Sequence, residues 1–398
     1  MASHPSCAVR RRAPPPEVTY DVIVLGLGAY GSAALYQLAK RGARVLGIDR
    51  FAPPHEMGST HGETRITRLA NGENALFTGF VRRSHEIWRE IEAETGESLL
   101  TQCGGLVISG ASKASVHVEG FFENTIANAR ANGVAHELLS ASDIRARFPQ
   151  FAVRDGERGY FEPEMGFVRP EACVRAQLGL ARGLGGEVRT GERVTAIRSR
   201  ADGVEIVTDR GTYRAGKAVM TLGAWLPELC PQFAPLLKVY RQVLTWFAVD
   251  GDEAAFRPGH LPIFIWELPD SHDGIYGFPV LSPGGGLKVA TEQFIDDVAP
   301  DAAIREVSAD EIDAMRRLVA PHLPGVGALC LKAVTCLYTA TPDRQFVIDR
   351  LPGAERVIVA SACSGHGFKH SPAIGEILAG MALDDTDGPA PFRLGRLG

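Results

Sequence analysis

The sequence predicts an α/β chain with strand–helix–strand units at both ends and an α+β middle built on a mixed sheet. Three observations carry this. Tyr20 to Leu25 (YDVIVL) is a β-branched apolar run, the pattern of a buried parallel strand, and it breaks into Gly26-Leu27-Gly28-Ala29-Tyr30-Gly31. Val357 to Ala362 (VIVASA) repeats that pattern and breaks into Ser364-Gly365-His366-Gly367. Between the two ends, short strand-like runs predominate. The unit at the front reads as Rossmann-like and discontinuous, returning at the far end of the chain.

Ser32 to Arg41 follows the first turn with Ala33, Ala34, Leu35, Leu38 and Ala39 at helical spacing, and Ala43 to Ile48 is a second strand closing on Asp49. Phe80 to Ala93 is a helix, Ser109 to Gln150 a helical insertion, and Phe167 to Leu184 a helix with Pro170 near its first turn. Val194 to Ser199, Val204 to Thr208, Thr212 to Arg214 and Ala218 to Thr221 read as short strands, with Asp202-Gly203 and Arg210-Gly211 as turns. Val239 to Val249, Leu261 to Leu268, Tyr276 to Pro279 and Leu287 to Thr291 form a second sheet. Ala309 to Val319 and Ser371 to Leu383 are the last helices.

Composition narrows the function classes. The chain has 398 residues, 45% hydrophobic and 22% charged, with net charge -5 and no basic stripe, so nucleic acid is not an expected partner. No apolar run reaches the ~18 residues of a membrane span. Met1 to Val18, rich in Pro and Arg, lacks the apolar stretch of a secretory signal and reads as a disordered tail. The ending Arg396-Leu397-Gly398 is not a peroxisomal address. Seven scattered Cys, without a CxxC, argue against a disulfide framework or structural zinc, and no metal is expected. The cytoplasm is the default compartment.

In Gly26-Leu27-Gly28-Ala29-Tyr30-Gly31 the first glycine permits the turn, the second a close approach of backbone to a pyrophosphate, and the third close packing of helix on strand. Asp49 ends the second strand, where a carboxylate accepts from ribose hydroxyls. This motif does not separate NAD from FAD. Gly58 to Arg68 is polar and carries Arg65 and Arg68 three residues apart; on a helix they share one face. Arg is the fork-shaped donor for carboxylate or phosphate. Lys369 follows the second glycine-rich turn, in the first turn of the following helix, where a cation opposes the helix dipole and so points to a ligand. Cys336, taken alone, reads as a small buried hydrophobe.

Three motifs in order, SxHGxTRIxR from Ser59, CxYTxTPDxxFxID from Cys336 and SGHGFK from Ser364, make the chain resemble the monomeric sarcosine oxidase and N-methyltryptophan oxidase family of flavoproteins, from about Tyr20 to Leu383. The resemblance implies FAD, tethered through a thioether from Cys336 to the flavin 8α-methyl carbon. It implies Gly26, Gly28, Gly31 and Asp49 for the ADP half, with Arg50 and Val194 also binding the cofactor. Ser59, His61, Thr64, Arg65, Gly365, Gly367 and Phe368 fall to the flavin itself. Arg68 and Lys369 match the pair that binds the substrate carboxylate, Tyr276 and Tyr338 the aromatic lining, and Lys288 the lysine near flavin N5 where oxygen is reduced. The implied domains are a discontinuous FAD-binding unit over 19–100, 160–238 and 343–385, and a substrate unit over 101–159 and 239–342.

The implied reaction is oxidation of an N-methyl or cyclic amino acid. Hydride goes to flavin N5, the imine hydrolyses, and dioxygen becomes hydrogen peroxide. The expected partners are an amino-acid substrate and dioxygen, in a monomer or weak homo-oligomer. Thr60, Asn71 and Glu292 depart from the sarcosine-specific members, so sarcosine itself is in doubt and Glu292 points to a substrate with an added cationic or donor group. Two rivals stand beside this reading: a dehydrogenase feeding another acceptor, and a non-catalytic flavin-binding subunit of a larger oxidase.

Overall fold

The computed structural model describes residues 19–110, 118–268, 274–361 and 363–397; the tail read over 1–18 lies outside them. Two eight-stranded sheets organise the chain. In the first, Thr19–Leu25 runs parallel between Val45–Asp49 and Thr212–Met220, with Glu187–Thr190 and Ala354–Ser361 extending the parallel set on either side. Buried strands of this kind need apolar residues on both faces, and Val22 to Leu25 are at most 1% exposed. Helices Ala29–Lys40, Pro170–Gly183 and Ser371–Leu383 cover one face.

The second sheet runs Val326–Ala340, Lys238–Val249, Leu287–Thr291, Gly274–Phe278, Ile263–Glu267, Gly105–Ser109, Arg158–Glu162 and Glu137–Ser140. It is antiparallel except where Ile263–Glu267 meets Gly105–Ser109, and is therefore mixed. One face packs Phe247, Phe264, Trp266 and Val289 against Met315 and Val319 of helix Ala309–Val319. That helix starts where it does because Ser308 and Glu311 cap each other's backbone N–H. The other face turns Cys336, Tyr338, Leu244, Trp246 and Ala290 toward the first unit. Alternation along a strand puts Cys336 and Tyr338 on one side, two residues apart.

The structure differs from the sequence reading in several places. Gly58 to Arg68 is not helical: Arg65–Thr67 is a short strand paired with Gly166–Val168, so Arg65 and Arg68 do not share a helix face. The helix read from Phe167 begins only at Pro170, whose fixed φ suits a first helical position. Thr212–Arg214 and Ala218–Thr221 merge into one strand, and the insertion over 109–150 holds strand Glu137–Ser140 between its two helices. No helix among the described residues is long and apolar enough to cross a membrane.

Candidate active site

A cavity of about 470 Å³ lies at the carboxyl ends of the first sheet's strands, lined by Gly26, Gly28, Asp49, Arg50, Val194 and Thr221 among others. Two positions of the turn at its floor, Gly26 and Gly31, admit only glycine. A Cβ on Gly31 would stand 1.7 Å from the Gly26 carbonyl oxygen, and Gly26 itself has φ +82. The helix that follows has no side-chain N-cap and no acid in its first turn, a terminus suited to an anion, and its Ala29 N–H donates to Thr60 Oγ1 at 3.3 Å. Asp49 accepts Leu27 N–H and Phe51 N–H, each at 2.7 Å, which leaves lone pairs for hydroxyls. Burial pushes its carboxyl pKa up against those two bonds. Arg50 lines the cavity, but its guanidinium is held by Asp301 through two bonds of 2.9 Å.

These features fit a flavin dinucleotide. Among the buried side-chain atoms that lack a hydrogen-bond partner in the described residues are Thr339 Oγ1, whose residue lines the cavity, and His61 Nε2. Burial, with Arg65 and Lys288 nearby, lowers the His61 pKa to about 3, so the imidazole is neutral.

Residues 59–68 cross between the two sheets. Ser59 Oγ donates to the Leu337 carbonyl, and Arg65 donates to Thr64 O at 2.8 Å and Ser59 O at 2.9 Å. Lys288 reaches the same loop from the second sheet. Its ammonium donates to Gly62 O (2.6 Å), Thr64 O (2.9 Å) and Thr64 Oγ1 (3.1 Å) and lies over the Trp246 and Phe278 rings. Burial pushes its pKa well below the ordinary lysine range, with the Arg65 charge adding to the fall. Cys336 is fully buried behind Tyr338; burial raises the thiol pKa while Arg65 and Lys288 lower it. Cys336, His61, Thr64 and Lys288 stand behind the cavity walls rather than in them.

A second cavity of about 430 Å³ adjoins the first, sharing Arg65, Tyr338, Gly365 and Phe368 with it. Arg68, Lys369, Tyr276 and Glu292 line it. Arg68 is 2% exposed and already bonded, to Ala70 O at 2.7 Å and Glu73 Oε1 at 2.5 Å. The Tyr276 and Tyr338 hydroxyls lie 3.4 Å apart, and burial raises both phenol pKa values. Lys369 is not in the first turn of the last helix. It sits in a 3-10 turn just before that helix, buried, donating to His366 O at 2.7 Å. Burial pushes its pKa down to about 7, opposed by Glu73 and Glu292. Gly365 (φ +85) forms the turn, and Gly367 lines the first cavity beside Phe368.

Sequence reasoning missed several contributors. Thr221 Oγ1 donates to Gly26 O at 2.7 Å and closes the glycine turn. Glu171 accepts Gly62 N–H at 2.6 Å and Glu63 N–H at 3.0 Å, fixing the loop beneath Lys288. Glu73, Phe294 and Arg344 complete the second cavity and its supports. Only contact across the fold reveals them; no spacing in the chain does.

Comparison with known proteins gives a consistent set. Residues 21–381 match the family described as FAD dependent oxidoreductase. The chain is 39% identical to the monomeric sarcosine oxidase of Streptomyces avermitilis, over 92% of this chain and 94% of that protein. It is 38% identical to the N-methyl-L-tryptophan oxidase of Yersinia pestis, over 94% and 96%. Among solved structures it is similar to NikD, an unusual amino acid oxidase essential for nikkomycin biosynthesis, with TM-score 0.80, 28% identity and 96% and 97% coverage.

Proposed function

This chain belongs to the FAD dependent oxidoreductase family, and from that premise we propose that it is an FAD-dependent oxidase of a secondary-amine amino acid, N-methyl or cyclic, which reduces dioxygen to hydrogen peroxide. The observation that carries this is the junction of the two cavities. A dinucleotide-shaped space meets, at Arg65, Tyr338, Gly365 and Phe368, a second space walled by Arg68 and Lys369. When bound, the flavin accepts hydride from the carbon next to the substrate nitrogen.

The chain's own residues do the rest. Arg68 and Lys369 bind the substrate carboxylate, and Tyr276 with Tyr338, held protonated by burial, orients the amine. The cationic walls disfavour an ammonium and so favour the neutral amine, which alone has the lone pair that drives hydride loss. Lys288, fixed by three oxygens of the 62–64 loop, supplies positive potential where dioxygen gains charge. Cys336 carries the flavin through a thioether to its 8α-methyl carbon. The unit over 19–100, 160–238 and 343–385 holds the cofactor, and 101–159 with 239–342 the substrate. We place the protein in the cytoplasm as a monomer or weak homo-oligomer; the described cysteines are all free, as a reducing compartment allows.

An oxygen-uptake screen of the purified chain over N-methylated and cyclic amino acids is expected to show consumption matched by peroxide. Turnover only with an added electron acceptor would replace oxidase by dehydrogenase. After acid precipitation the protein is expected to stay yellow, and Cys336→Ser to release its flavin; free flavin from the unaltered protein would refute the tether.

A further inference from the structure

We infer that Arg344 is a second anion-binding station in the substrate cavity, so that the preferred substrate is a secondary amine bearing two carboxylates. This rests on the function proposed above and names the class of substrate within it.

Among the described residues, the wall of the second cavity carries four basic side chains, Arg65, Arg68, Arg344 and Lys369, and one carboxylate, Glu292. Three of the four are engaged. Arg65 donates to two carbonyls, Arg68 to Glu73 and Ala70 O, and Lys369 to His366 O. The Arg344 guanidinium makes no hydrogen bond and no ion pair with any described residue, and its Nη1 is buried without a partner. Its pKa is lowered by burial and raised by Tyr240 and Glu292, so the Glu292 field reaches it without a bond between them.

Arg344 is also held in place. Its Cζ lies 3.3 Å from the centroid of Phe294, another wall residue. A guanidinium lying on a ring keeps its N–H donors in its own plane, open at the edge to a bidentate carboxylate. The backbone has φ +57, a conformation that disfavours a long side chain. It is pinned by Arg344 N–H donating to Thr341 O (3.2 Å) and by His366 Nε2 paired with Arg344 O (3.0 Å). The side chain is half-buried and ordered, with Nη1 buried and unpaired in the cavity wall, and a buried donor left without an acceptor is costly unless a ligand completes it. One carboxylate occupies Arg68 and Lys369; a cavity of about 430 Å³ has room for an acidic arm reaching Arg344.

N-methylglycine and iminodiacetate differ by one carboxylate and make the matched pair for a test. Each is titrated anaerobically into the FAD-loaded chain, with binding read from flavin absorbance. Iminodiacetate is expected to bind about tenfold or more tighter, as a charge-assisted pair predicts. Arg344→Gln is expected to abolish that preference while leaving N-methylglycine binding within about twofold. If Arg344→Gln gives no folded flavoprotein, Arg344→Lys takes its place, and a preference reduced about threefold or more supports the assignment. Equal affinities in the unaltered protein, or a preference that survives substitution, overturn it with the oxidase reading intact. A spectrum that responds to neither compound overturns the inference alone, since the oxidase reading is tested separately by the oxygen-uptake screen over N-methylated and cyclic amino acids.

Discussion

The two cavities, of about 470 and 430 Å³, are nearly equal in size and made in different ways. The first is shaped by backbone: a glycine turn, an uncapped helix and strand ends, with the Asp49 carboxylate tied to two backbone N–H groups. The second is shaped by long charged side chains, and its conserving bonds are between those side chains and their own neighbourhood. A backbone cradle reads a ligand part common to many enzymes and, at Gly26 and Gly31, tolerates no Cβ. A side-chain cradle can be retuned one residue at a time, and Glu292, in the wall of the second cavity, is such a position.

The sharpest way to break this contrast is to add a methyl group. Gly31→Ala forces a Cβ to within 1.7 Å of Gly26 O, against backbone that cannot yield. We expect loss of bound flavin and a stability cost of about 1–3 kcal/mol or more, read from absorbance and thermal unfolding. Gly79→Ala, in helix Phe77–Thr95 with nothing within 4 Å of the new Cβ, is the control and should stabilise by about 0.4–1 kcal/mol. Flavin retained at full occupancy in Gly31→Ala would contradict the backbone account.

Next in size is Lys288→Met. Losing a preorganised charge should slow the reaction with dioxygen about 10²–10³-fold and spare the reaction with substrate, as stopped flow resolves. Equal losses in both half-reactions would make Lys288 a brace for the 62–64 loop instead.

In the second cavity, Arg68→Ala should weaken carboxylate binding about tenfold to a hundredfold. It also strands a buried Glu73, at a cost of about 3–5 kcal/mol in folding stability. Arg68→Met combined with Glu73→Gln should recover most of that stability and none of the binding. Recovery of binding in the double variant would exclude Arg68 as the carboxylate ligand.

The smallest expected effect is a pH dependence. With its pKa near 7, Lys369 loses its proton as pH rises through neutrality, and carboxylate affinity should fall about fivefold, the difference of about 1 kcal/mol between charged and neutral donors. Stability moves the other way. The folded pKa lies below the unfolded one, so the penalty of a buried ammonium is complete below pH 7 and is relieved as pH rises toward the unfolded value of 10.5. Lys369→Met should flatten the binding profile; an unchanged inflection would assign it to another group.

The same contrast explains what could be read in the chain. The Gly26–Gly31 turn, its flanking strands and the helices Ala309–Val319 and Ser371–Leu383 are local: caps, glycines and apolar period all lie within one segment. Strand Val326–Ala340, which carries Cys336 and Tyr338, escaped detection because it is an edge strand with Leu329 and Leu331 facing solvent and two register shifts against its neighbour. Its alternation is broken, and period-2 patterning has nothing to find. The supports of the site escaped for another reason. Glu171 bonds Gly62 across 109 residues, Lys288 bonds Gly62 across 226, and Arg344 stacks on Phe294 from another segment. The resemblance supplied the roles of Arg68, Lys288 and Lys369; it did not supply the partners that hold them.

The central claim, that electrons pass at the junction of the two cavities from a secondary amine to the cofactor and on to dioxygen, has one direct measurement. A secondary-amine amino acid is mixed with the FAD-loaded chain under anaerobic conditions, bleaching at the flavin bands is recorded, and oxygen is then admitted while peroxide is assayed. The account predicts rapid bleaching, recovery of colour on oxygen without any other acceptor, and one peroxide for each flavin recovered. Bleaching that recovers only with an added electron carrier, or no bleaching by any N-methylated or cyclic amino acid, would contradict it.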